Sequence, residues 1–169
     1  GIKHLEWKLM GQSICCLIGV GDSAKTTVLD AVEAALSPRW MTFNEADFHH
    51  ANTAEDIEVE VTIGELSRAL LSDGRFGLYL RGLSPTGGLN DEPEDADTPV
   101  LTVRLSVDAT MEPVWSLVCD RYPVPRILSN RDRAMFCLVR LAGDEARHLT
   151  LGPRSVLSKM TEANDETAQ

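Results

Sequence analysis

The chain has 169 residues, 43% of them apolar and 25% charged, with a formal net charge of −10. That length carries one domain with a substantial core or most of a larger one, and the acidity argues against a nucleic-acid clamp for the chain as a whole. No apolar run approaches the roughly 20 residues of a membrane helix, and Gly1 to Met10 lack the apolar core of a signal peptide, so a cytoplasmic protein with no membrane partner is expected.

In chain order, Leu5, Trp7 and Leu9 alternate with polar neighbours and predict a first strand. After the turn at Gly11-Gln12, Ser13 to Ile18 are nearly all apolar, as expected of a strand covered on both faces. Cys15 and Cys16 are adjacent and point to opposite faces of such a strand. Together with Cys119 and Cys137 they read as reduced core thiols, because no pair has the spacing of a zinc or redox motif. From Lys25 to Leu36 the period changes: Val28, Leu29, Val32, Ala35 and Leu36 form one stripe of an amphipathic helix. Ser37-Pro38 ends it, since proline disfavours helical backbone in the residue before it.

The rest of the chain reads mainly as β. Ile57, Val59, Val61 and Ile63 alternate with polar residues, as do Phe76, Leu78 and Leu80, and Leu101, Val103, Leu105 and Val107. Val114 to Cys119 is expected to pair back across Asp108 to Pro113 as a hairpin. Between these lies Ser84 to Pro99, with three prolines, two glycines and five acidic residues, which predicts a mobile loop. Ala134 to Leu141 reads as a further buried strand, Ser155 to Met160 as a short helix, and Thr161 onward as a polar tail.

The chemistry-bearing segment is Gly19-Val20-Gly21-Asp22-Ser23-Ala24-Lys25-Thr26-Thr27, which nearly matches the phosphate-loop pattern GxxxxGK[ST]. Successive backbone N–H groups in such a loop form an anion-binding nest, and the following helix adds its unpaired N-terminal donors. Lys25 would reach the β- and γ-phosphates of ATP, Thr26 would offer its hydroxyl to Mg²⁺, and Thr27 would hydrogen-bond the α-phosphate. Ala24 stands where the pattern has its second glycine, so its Cβ must be tolerated beside the phosphates or in an unusual dihedral. A helix start that matches by accident, or a loop that has lost its nucleotide, is the competing reading.

CLIGVGDSAKTTVLDAVEAALSPRW, followed by FNEADF and IEVEVTIGEL, resembles the N-terminal ATPase region of OLD-family proteins, ABC-type ATPases related to RecF and SMC heads. The likeness runs from near Ile2 and continues more weakly through RDRAMFCLVRLAG and GPRSVLSKM. It implies an α/β fold with α+β character. A strand–P-loop–helix unit would occupy 1–41, a mainly antiparallel β lobe 42–160, and the polar tail 161–169. Such ATPases also need a Walker B strand ending in Asp-Glu, an LSGGQ-like signature and a switch histidine. The only Asp-Glu near an apolar run, Asp144-Glu145, follows Leu-Ala-Gly instead of a strand. The expectation is therefore an ATP- and Mg-binding front part of a larger ATPase, without the nuclease carboxylates and unable to hydrolyse ATP alone. Its partners would be a second ATPase head or the missing C-terminal half, with DNA contacted through the full-length protein. The alternative is a degenerate P-loop module that binds other proteins and no nucleotide.

Other candidates have plainer readings beside them. Asp47, in FNEADFHH, would approach the metal or its water, or else simply cap or solvate the chain. His49 and His50 are expected to diverge, which disfavours metal ligation. Seven arginines between Arg121 and Arg154 (Arg121, Arg126, Arg131, Arg133, Arg140, Arg147 and Arg154) read as surface charges balancing acidic neighbours, with DNA or a partner subunit as the alternative. Trp7, Trp40 and Trp115 fit core or lobe-interface packing better than base stacking.

Overall fold

The computed structural model describes residues 1–9, 14–21, 23–72, 74–136 and 138–141. The long helix forms where its periodicity places it, as α1 (Lys25–Leu36), and Ser37 leaves it in an extended conformation with φ −67° and ψ 137°. Three-residue 3-10 turns follow at Glu45–Asp47 and His49–Ala51. Then come β1 (Ile57–Ile63), a 3-10 turn at Gly77–Tyr79, β2 (Arg81–Leu83), β3 (Leu89–Asn90), β4 (Thr98–Val107), β5 (Pro113–Cys119), β6 (Tyr122–Ile127) and a short α2 (Asn130–Ala134).

Every strand pairing is antiparallel, and β4 is the spine. Its first residues pair with β2, Val100 opposite Arg81. Its remainder pairs with β1, Leu105 opposite Val59, and with β5, Leu105 opposite Trp115. Leu101, Val103, Leu105 and Val107 are fully buried, each contributing about 1.5–3 kcal/mol of transfer free energy by the usual area scale. They meet Phe76, Trp115, Leu117 and the end of α1 in one core. On the other face of the β1–β4 pair, Arg104 ion-pairs with Glu60 directly opposite and with Glu58 at 3.0 Å. Thr62 and Thr102, also opposite, share a 2.9 Å hydrogen bond. These are cross-strand pairs of the kind that pin register.

The architecture corrects the expected α/β unit. The described residues form a mostly antiparallel β structure with two α-helices, and no strand precedes the Gly19 loop: residues 1–9 and 14–19 carry no regular structure. Ile14 and Ile18 are 82% and 92% exposed, so the apolar run read as a doubly covered strand is mostly uncovered and pairs with none of the described strands. Cys15 and Cys16 are exposed free thiols, against the expectation of core positions, whereas Cys119 is buried. Cys137 lies outside the described residues.

Three further expectations change. Phe76, Leu78 and Leu80 alternate but form a 3-10 turn, in which Phe76 is buried and Leu78 is 62% exposed. Ala134 closes a helix instead of opening a strand, because Ser129 and Asp132 make a reciprocal capping box that starts α2. Burial favours the neutral form of Asp132, but hydrogen bonds from Ser129 and the Arg75 guanidinium outweigh it and hold the carboxyl below its ordinary pKa.

The acidic segment from Ser84 to Pro99 is built into the sheet, in place of the expected mobile loop. It contains the β2–β3 hairpin, whose turn is closed by Ser84 N–H donating to Gly88 O at 2.8 Å with Gly87 at φ 86°. Asp91 then accepts the backbone N–H groups of Asp120 and Arg121 at 2.6 and 2.7 Å. Asp97 lies so close over β2 that a Cβ on Gly82 would come within 2.1 Å of its Oδ2. The carboxylates act here as internal acceptors. The Ser155–Met160 helix, Asp144-Glu145 and the tail from Thr161 fall outside the described residues. No helix among the described residues is long and apolar enough to cross a membrane.

Candidate phosphate-binding loop

The loop stands at the free end of α1. The far end of that helix is docked: Ala34, Ala35 and Leu36 are buried, and the Trp115 indole N–H donates to Ala34 O at 2.8 Å. The near end is open, with Thr26, Thr27 and Leu29 exposed. Ala24 begins the helix without a side-chain cap, and the first turn holds no acidic residue. The positive end of the helix dipole is therefore not neutralised by its own first turn.

Lys25 folds back over the loop. Its ammonium donates to Gly19 O at 2.9 Å, to Val20 O at 2.6 Å and to Ser23 Oγ at 2.8 Å. Ser23 Oγ in turn donates to Val20 O at 2.8 Å. A Cβ on Gly19 would meet Ser23 Oγ at 2.8 Å, whereas one on Gly21 would meet nothing within 4 Å. Gly19 is thus the glycine whose lack of a side chain keeps the loop closed. Ala24 has φ 57° and ψ 17°, in the left-handed region. The phosphate-loop pattern has glycine at this position, and the backbone adopts the conformation glycine favours even though alanine occupies it, at about 1–2 kcal/mol. Asp22 lies outside the described residues.

An open cleft of about 410 Å³ adjoins the loop. Leu5, Trp7, Leu17 and Val28 form its apolar wall, and Gly19, Ser23 and Lys25 line the same space. The sequence marked Leu5 only as a strand position, and Trp7 as a packing residue in preference to a base-stacking one.

Asp47 is not seen at the loop. Its carboxylate accepts Asn44 N–H at 2.9 Å and completes a capping box for the 3-10 turn at Glu45–Asp47. His49 and His50 do not diverge. Their rings meet edge to face at 4.0 Å, because His50 turns into the left-handed region at φ 55°. Partial desolvation, then His50 and Lys3, lower the pKa of His49. Among the described residues no group of three His, Cys, Asp or Glu is arranged to hold a metal ion.

The arginines are largely engaged within the chain. Arg121 pairs with Asp91 at 3.4 Å, Arg126 donates to Arg75 O and lies over the Phe76 ring, and Arg140 pairs with Asp30 and with Glu33 at 2.7 Å. Arg133 is wholly buried, and among the described residues no carboxylate pairs with it. Its guanidinium stacks 3.6 Å from the Trp115 ring centroid and donates to Ser37 O, Arg39 O and Asn130 Oδ1. Desolvation lowers its pKa. Of the tryptophans, Trp115 is core, Trp40 packs on it at 5.8 Å while 60% exposed, and Trp7 is 38% exposed in the cleft wall. Arg147 and Arg154 lie outside the described residues.

Comparison with family models, with curated proteins and with solved structures gives no match to this chain.

Proposed function

We propose that the loop from Gly19 to Thr27 binds ATP with Mg²⁺, and that the chain is the nucleotide-binding front part of a cytoplasmic ATPase similar to the OLD family. The observation that carries the reading is the position of Lys25. Its ammonium sits inside a closed loop on two backbone carbonyls and a hydroxyl, beside an uncapped helix start. Phosphate oxygens are better acceptors for an ammonium than neutral carbonyls, so a polyphosphate entering the loop would exchange these contacts for charge-assisted ones. Thr26 and Thr27, both exposed at the helix start, supply the hydroxyls for Mg²⁺ and the α-phosphate. Asp47 would serve the metal or its water only by giving up its bond to Asn44.

Hydrolysis needs a Walker B carboxylate and a signature motif, contributed by another part of the protein or by a second head. DNA would be contacted through that larger assembly, since Arg121, Arg133 and Arg140 are already committed within the chain. The second reading, a protein-interaction module that binds no nucleotide, draws on the left-handed Ala24 and on the exposed Ile14, Ile18 and Val20.

The deciding experiment is thermal unfolding with MgATP beside the Lys25→Ala variant. A ligand held at 100 times its Kd stabilises the fold by about 2.7 kcal/mol, a rise of roughly 5–10 °C for a chain of this size. That rise in wild type alone supports the reading. No rise in wild type at millimolar MgATP overturns it and leaves the interaction module.

A further inference from the structure

We infer that Cys15 and Cys16 form a reversible oxidation site, at which a small disulfide oxidant such as glutathione disulfide closes the two neighbours into a ring within one chain. The inference is independent of nucleotide binding. Both thiols are free and exposed, whereas Cys119 is buried, and a thiol must be reached before it can exchange. On a strand, adjacent side chains point to opposite faces, which would keep the two sulfurs apart. Here residues 14–19 carry no regular structure and pair with none of the described strands. No sheet holds the two side chains on opposite sides, and no ladder hydrogen bond is lost when the backbone bends to join them. The pair sits in the stretch that leads to Gly19, next to Leu17 in the cleft wall.

The exchange runs in two balanced steps. One cysteine thiolate attacks a sulfur of glutathione disulfide, forms a mixed disulfide and expels one glutathione thiolate. The neighbouring thiolate then attacks the cysteine sulfur of that mixed disulfide, breaks it and releases the second glutathione. The two cysteines give up two protons and two electrons, and one glutathione disulfide becomes two reduced glutathiones. Reversibility follows from chain geometry. Consecutive Cα atoms are about 3.8 Å apart across a trans peptide, short of the roughly 4.4–6.8 Å that a relaxed disulfide spans. The ring is therefore strained, and strained, exposed disulfides are the easily reduced ones. It closes when oxidised glutathione prevails and reopens when reduced glutathione returns.

The test is mass spectrometry of the full chain after incubation at fixed ratios of reduced to oxidised glutathione, followed by trypsin. The tryptic peptide from Leu9 to Lys25 holds Cys15 and Cys16 and no other cysteine. With oxidised glutathione in about ten-fold excess, wild type should yield that peptide two hydrogens lighter and free of glutathione. Reduced glutathione in the same excess should restore it. Cys15→Ser and Cys16→Ser should each retain one glutathione on the peptide, because the resolving thiol is gone. Cys119 should stay unmodified in the same samples, which shows that the fold is intact. Glutathione retained on wild type overturns the ring, since the neighbour would then fail to resolve it. A cross-link to Cys119, to Cys137 or to a second copy overturns it as well. Two unreacted thiols would mean that Cys15 and Cys16 are covered in solution, and a ring that survives reduced glutathione would overturn its reversibility.

Discussion

Two apolar stretches of similar composition meet opposite fates in this molecule. Val100 to Val107 becomes the spine of the sheet, with all its apolar residues buried, while Ile14 to Ile18 carries no regular structure and leaves Ile14 and Ile18 almost wholly exposed. Both look like strands to any scale of β preference. The difference is partnership: β4 has β1 along one register and β5 along another, with Leu105 facing Val59 and Trp115, whereas residues 14–19 pair with none of the described strands. β propensity describes fitness for a pleated, half-buried surface, and it is realised only where neighbours supply that surface.

Three substitutions sharpen this contrast. Leu105→Ala, in the spine, should cost about 2–5 kcal/mol and lower the urea midpoint accordingly. A loss below about 1 kcal/mol would mean that the core tolerates collapse there and that β4 is not the spine. Ala24→Gly, at the hinge between the loop and α1, should stabilise by about 0.5–1 kcal/mol, since relief of the left-handed strain exceeds the extra freedom glycine gives the unfolded chain. Destabilisation in the same urea titration would show that Ala24 is not left-handed in solution. Ile18→Ser, in the exposed stretch, should change stability by less than about 0.5 kcal/mol. A drop comparable to that of Leu105→Ala would mean that Ile18 is buried in solution, and the contrast between the two stretches would collapse.

How much could be read beforehand follows the same division. Local codes were legible: the 3.6-residue stripe and Ser37-Pro38 bounded α1, and the alternation at Ile57–Ile63 and Leu101–Val107 marked two paired strands. Elements set by non-local contact were not. β6 was not marked by the sequence; it carries Pro123 and Pro125 and is a mostly exposed edge, the place where prolines are tolerated. The turn and second strand of the β2–β3 hairpin hid in an acidic segment of which Asp91 and Asp97 turn inward. At the candidate site the loop residues were legible as a motif, and Ala24 was rightly marked as the position under conformational demand. The missing strand and the cleft wall of Leu5 and Trp7 were not, because both depend on where the first nine residues lie in space.

Arg133 has a consequence for the order in which the molecule is made. The carbonyls it grips, on Ser37 and Arg39, precede it by 96 and 94 positions, and the Trp115 ring beneath it is also far from α1 in sequence. As the chain leaves the ribosome, α1 can wind early from its own residues and Trp115 can then bond Ala34 O, but the turn beyond the helix, at Ser37 and Arg39, has no clasp until Arg133 emerges. A nascent chain stopped between β6 and α2 would therefore hold the sheet and the Trp115 bond to α1 yet leave the carbonyls of Ser37 and Arg39 without Arg133. The turn from Ser37 to Arg39 should then be more open to a protease than in the finished protein.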